Sequence, residues 1–150
     1  YYGGYGQGDT TVIDTATIAR SPLGARGFDA LGNEYIYLTG VASTVVGSIV
    51  SYNNVFQSAL SVTGVCAPIA VAMAIVVATQ RGWYQVGGAA QGNFSGAAVT
   101  GTKVYSAGTG QVSTTVVAGD QITGAVVGAT VSGAGLGALL LQYPFMNRLG

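Results

Sequence analysis

The chain has 150 residues, with 25 Gly, one Cys, no His and ten charged side chains that cancel to zero net charge. Without His, neither Ser-His-Asp nor Cys-His catalysis can be assembled, and no Cys/His cluster exists for zinc. A 7% charged fraction with no basic stripe also excludes the phosphate neutralisation that nucleic-acid binding requires.

The length fits one domain with a real core. Hydrophobic residues make up 49%, mostly Val and Ala interleaved with Thr, Ser and Gly, which suits a β-rich element that covers a surface better than a catalyst. Ordinary soluble domains carry roughly 25% charged residues. So sparse a charge complement, at zero net charge, favours association, because packed interfaces deplete charge at their centres.

Residues 1–9, Tyr-Tyr-Gly-Gly-Tyr-Gly-Gln-Gly-Asp, are low in complexity and have no apolar period. They read as the start of an extended arm over 1–31 that orders on a partner, with Tyr1, Tyr2 and Tyr5 supplying contact area at low entropic cost. Residues 10–33 read as irregular, with a corner at Ser21-Pro22-Leu23-Gly24. Asp9, Asp14, Arg20, Arg26, Asp29 and Glu34 make this the most polar part of the chain.

From residue 32 onward a β-rich domain is expected. The run 34–38 is aromatic and β-branched, and 45–52 and 55–62 are short runs about a turn at Asn53-Asn54. In 69–79, large residues at 69, 71, 73 and 75 alternate with Ala at 70, 72 and 74. That period of two predicts a strand packed tightly on one face, with a helix as the alternative because Ala and Met also suit helices. A turn at Arg81-Gly82 leads to a strand over 83–86, giving a hairpin. Further strands are expected at 102–106, 111–117, 121–131 and 136–142. Many short strands at regular spacing predict an all-β sandwich or barrel-like domain.

Two charge-free segments raise the possibility of a membrane span. The stretch 65–78 is too short for a spanning helix and contains Pro68. The stretch 122–141 is long enough and carries Gly124-x-x-x-Gly128, but it is Gly- and Thr-rich and lacks flanking cations.

Other motifs are weak. Cys66 has no intrachain partner, and the expectation is a small buried hydrophobe. Gly133-Ala-Gly135-Leu-Gly137-Ala138 has glycine spacing like a dinucleotide fingerprint, yet too few residues follow for the βαβ unit. Close packing explains these glycines better. Lys103 with Ser106 or Ser95 has no support as a catalytic dyad, and Asn93-Phe94-Ser95 is a chance-level glycosylation tripeptide. Trp83 with Tyr84, and Tyr143 and Phe145 about Pro144, are either core aromatics or contact patches.

Several segments, in order, resemble the small decoration (cement) proteins of tailed-phage capsids. They are Pro22-Leu23-Gly24-x-Arg26, Gly32-x-Glu34-Tyr35-x-Tyr37, Gly82-Trp83-Tyr84-Gln85-Val86, Ala118-Gly-Asp-Gln-Ile-Thr-Gly-Ala125, and Pro144 followed by Asn147-Arg148. The likeness spans about residues 20–148, and the Tyr/Gly arm has no counterpart in it. It implies a virion structural protein on the outer capsid surface. Such a protein forms homo-oligomers, with a trimer expected, and clamps the major capsid protein.

On this reading the capsid-interface candidates are Tyr1, Tyr2, Tyr5, Arg20, Pro22, Arg26 and Phe28. Oligomer or surface contacts would come from Trp83, Tyr84, Tyr143 and Phe145. No enzymatic activity, cofactor, metal, nucleic acid or membrane partner is expected. The rival reading is a virion fibre or adhesin-like β domain that stacks aromatic rings on a host glycan.

Overall fold

Runs of β-branched and aromatic residues fill a pleated surface, and the Gly, Asn and Asp between them turn the chain. The computed structural model describes residues 13–15 and 20–147. Among the described residues there is no helix, and the strands are β1 (Arg26–Phe28), β2 (Glu34–Thr39), β3 (Ile49–Tyr52), β4 (Ser58–Leu60), β5 (Ala67–Ala72), β6 (Arg81–Phe94), β7 (Lys103–Ser106), β8 (Val112–Ser113), β9 (Gln121–Val127) and β10 (Gly135–Asn147). The protein is all-β.

The strands join in one sheet ordered β1-β2-β6-β8-β7-β9-β10-β5-β3-β4, and β6 also pairs with β10 and β5. The circuit β6-β8-β7-β9-β10 therefore closes on itself in a barrel-like ring. All pairings are antiparallel except β6 with β8, where Phe94 faces Val112. The first half of β6 lies between β2 and β5, and its second half pairs with β10.

β6 makes this transfer at Gly87-Gly88. The β2 register skips one β6 residue between Glu34↔Gly87 and Tyr35↔Gln85. Buried Gln85 donates its amide to the carbonyls of Gly87 and Ala89, both at 2.9 Å. Gly88 sits at φ +88°, where an added Cβ would fall 2.0 Å from Asn33 Oδ1. Only glycine fits that bend.

Two apolar cores result. One gathers Phe94, Val104, Val112, Ile122, Leu139 and Met146 with Ile49, Ile69 and Val71. The other gathers Ile36, Leu38, Tyr84 and Val86 with Val50, Ala70 and Ala72. β5 separates them, its larger side chains facing the first and its alanines the second, which is the alternation the sequence shows. The strand ends at Ala72 rather than near 79, because 73–80 must reverse the chain into β6; Ala74 and Val76 of that loop still enter the second core.

The segments considered as membrane spans hold β5 with its following loop, and β9 with the first part of β10. Among the described residues no helix is long and apolar enough to cross a membrane. Cys66 corrects another expectation: it is exposed, because it lies just before β5 at the end of a turn rather than on a core face.

Candidate functional site

Arg20, Pro22, Arg26, Phe28, Trp83 and Tyr143 fall on or beside the β1–β2–β6 end of the sheet. Tyr1, Tyr2 and Tyr5 lie outside the described residues, as do 16–19. Within the segment expected to form an arm, β1 is hydrogen-bonded to β2, and Asp14 bridges Arg81 at the start of β6.

The first cluster forms around Asp14, which is only 2% exposed. Its backbone exchanges two hydrogen bonds with Arg81, at 2.7 and 2.8 Å. Its carboxylate accepts the Tyr37 hydroxyl and the Arg20 backbone N–H, the latter at 2.7 Å. The Arg20 guanidinium stands 3.8 Å away and its side chain is 70% exposed, so this ion pair adds little. Burial pushes the Tyr37 phenol above its usual pKa, and the hydrogen bond to Asp14 and its charge push the same way.

Tyr37 packs at 60° against Trp83, with ring centroids 5.2 Å apart. The indole also reaches across β2 to Gly27, where an added Cβ would lie 3.4 Å from its ring. Trp83 is thus half-buried and fixed rather than an open platform.

The second cluster forms around Glu34, which is 7% exposed. It accepts a hydrogen bond from the Tyr143 hydroxyl and pairs with Arg26 at 3.4 Å. Phe28 lies opposite Glu34 in the β1–β2 register and is 42% exposed. Tyr143 reaches this edge because β10 is irregular between Leu141 and Phe145 and places Tyr143 at φ +46°. The hydrogen bond and the charge of Glu34 raise the Tyr143 phenol pKa. Pro144 is buried beside it, while Phe145 is 42% exposed.

The β1–β2 turn holds a third carboxylate. Asp29 accepts the N–H groups of Leu31 and Asn33, the Asn33 amide and the Tyr35 hydroxyl, all at 2.7–2.9 Å. Burial would raise its pKa, but the bonds from Asn33, Tyr35 and Leu31 outweigh that and lower it. The turn displays Leu31 at 88% exposure. Sequence reasoning passed over Leu31, Glu34 and Asp29 as site residues. Their signal is the Asp29-x-x-x-Asn33 pattern, since Asp and Asn fold their side chains onto nearby backbone in such turns.

Pro22 is exposed, and its carbonyl accepts the Ala25 N–H at 3.0 Å in the expected corner. Tyr84 corrects the contact assignment: it is 0% exposed and belongs to the second core. Lys103 and Ser106 do not meet, since Ser106 is buried against Ser61, at 3.0 Å, and Lys103 is exposed. Among the described residues no three His, Cys, Asp or Glu side chains gather as a metal site.

The arrangement presents an edge of mixed character: a partly exposed guanidinium, exposed apolar side chains at Phe28 and Leu31, and a tethered Tyr143, with exposed Phe145 two residues further along β10. No protein-family model matches the chain, and neither does any curated protein.

Proposed function

We propose that this chain is a virion structural protein, a capsid decoration protein that binds and stabilises a phage shell from outside. The observation that carries the reading is the β1–β2–β10 edge. Arg26, Phe28, Leu31 and Tyr143 stand there on a framework locked by the Glu34 and Asp29 hydrogen bonds, and exposed Phe145 follows two residues along β10. Aromatic and Arg side chains held rigidly are what binding hot spots use. The low charge of the body and the ordered segments resembling cement proteins support the same reading. The partner is then the major capsid protein, with a homo-oligomer, expected to be a trimer, as the bound form.

The glycan-binding alternative needs accessible rings. Of its four aromatics, Tyr84 is in the core and Trp83 is packed on Tyr37, which leaves only Tyr143 and Phe145.

The test is binding of purified chain to expanded phage heads that lack a decoration protein. Variants should include deletion of 1–12, which spares the Asp14–Arg81 bridge, and Phe28→Ala with Leu31→Ala. Saturable binding that raises the heads' disruption temperature, and weakens in the edge variant, is the expected result. A folded chain that binds no heads would sink the proposal. Sedimentation of the purified protein decides the trimer.

A further inference from the structure

Between β7, β9 and β10 the sheet opens into a groove of about 530 Å³, lined in part by Lys103, Thr123, Gly124, Val126, Leu140 and Gln142. Two register shifts build it. β7 pairs Lys103 with Val126 but the next residue, Val104, with Ile122, so Thr123-Gly124-Ala125 bulges away. On the other side β10 pairs Leu141 with Ala125 and Phe145 with Thr123, leaving 142–144 out of register. Gly124 sits at φ +75°, and an added Cβ would fall 2.3 Å from the Gln142 carbonyl oxygen. The groove is therefore a preformed feature of the backbone, of the kind bulges create where a strand re-aims its side chains.

Its floor is apolar, with Leu140 50% and Val126 36% exposed. Its rim carries Lys103, whose exposed ammonium has no hydrogen bond or ion pair among the described residues. The described carboxylates are all engaged elsewhere. Asp14 takes Tyr37 and Arg20, Asp29 takes Asn33, Leu31 and Tyr35, Glu34 takes Arg26 and Tyr143, and buried Asp120 takes the Gly64 N–H. Among the described residues, no carboxylate of this chain is left for Lys103.

We infer that the groove is a docking site for an extended segment of a partner protein that carries a carboxylate beside apolar side chains. The lone ammonium takes the carboxylate, and Val126 and Leu140 take the flanking side chains, so each half of the occupant meets its complement. No aromatic ring lines the groove, which argues against sugar stacking. A single cation is too little for nucleic acid, and an open groove does not enclose a fatty-acyl chain as a lipid pocket does. The site adjoins Tyr143 along β10 but shares no residue with the Arg26, Phe28 and Leu31 edge. It rests on the capsid reading only for the statement that the partner is the shell subunit.

The test is a ¹⁵N-resolved NMR titration with the peptide acetyl-Leu-Val-Asp-Leu-Val-amide, its Asn counterpart, and laurate as a lipid probe. The expected result is saturable shifts in 121–126 and 140–142 with a dissociation constant of roughly 1 mM, the scale of one charge and a shallow apolar floor. The Asn peptide should bind about fivefold more weakly or worse, as should the Asp peptide to Lys103→Met, whose own spectrum reports its fold. No shifts at about ten times that concentration, equal response to the Asn peptide, or response to laurate alone would each overturn the inference. The titration uses no phage head, so its failure leaves the capsid proposal standing, and failure of head binding leaves the groove standing.

Discussion

Tyr84 carries the sharpest test of how the second core is built. Its ring is 0% exposed and packed with Ile36, Leu38, Ala72 and Val86, yet its hydroxyl has no hydrogen-bond partner. Burial pushes the phenol pKa up, so it stays neutral; Ser58 and Thr44 are the neighbouring hydroxyls that pull the other way. Both already spend their protons on carbonyls: Ser58 donates to Thr39 and Thr44 to Val41, each at 2.7 Å.

A buried hydroxyl without a partner costs about 1–3 kcal/mol relative to water. Tyr84→Phe keeps the ring and deletes only the oxygen. The small void it leaves forfeits some dispersion contacts, so the lower end applies: a gain of about 1 kcal/mol, or roughly 4 °C in Tm for a chain of this size. Urea melts with unchanged slope would measure it. A loss of more than about 0.5 kcal/mol, beyond the scatter of neutral substitutions, would refute the argument and show that the phenol is satisfied in the folded protein.

Gly137→Ala should cost about 1–3 kcal/mol in the same melts, because the new Cβ lands 2.3 Å from Val131 Cγ2 and 2.9 Å from the buried Phe94 ring; a neutral result would mean that β10 shifts freely. Glu34→Gln should bring the raised Tyr143 phenol back toward its ordinary value, read by NMR titration of labelled tyrosine. A folded-state phenol pKa above the unfolded value adds stability below about pH 10 that is lost as pH rises through the raised value, so the variant should also lose that part of the alkaline dependence. Asp29 has the opposite sign. Its lowered pKa adds stability above the unfolded value of about 4 that disappears as pH falls through the folded one. Asp29→Asn should flatten the acid limb of stability against pH, and an unchanged limb would remove Asp29 from the account.

Strand positions dominated by side-chain type were legible in the sequence. The aromatic run of β2 and the β3–β4 hairpin fall where expected, with Asn53 Oδ1 accepting the N–H groups of Val55 and Gln57 in the turn. The second half of β6, Gly87 to Phe94, has few β-formers. It is a strand because β10 on one side holds it, a tertiary effect that local propensity does not show. The three-residue β1 was hidden for the same reason. The run 111–117 shrinks to Val112–Ser113, where β7 and β6 supply its partners. Trp83 and Tyr84 are neighbours in sequence, but adjacent strand residues face opposite sides. Trp83 goes to the outer face against Gly27 and Tyr37, and Tyr84 goes into the core.

The chain's few acids explain the difference between the polar N-terminal segment as read and as folded. Asp14, Asp29 and Glu34 each accept a tyrosine hydroxyl, from Tyr37, Tyr35 and Tyr143 respectively. A residue pattern that resembles a loose, contact-making arm is, over its described part, a set of fasteners that hold the β1 edge on the sheet. This has a consequence for any truncation. Removing 1–27 would delete Asp14 and two of the three β1 residues, leave the buried Tyr37 hydroxyl without its acceptor, and expose the edge of β2. Unpaired edges of that kind associate indiscriminately, so a head-binding defect in that deletion would report damage to the fold. Removing 1–12 leaves every fastener in place, and only that deletion isolates what the tyrosine-rich terminus contributes to binding.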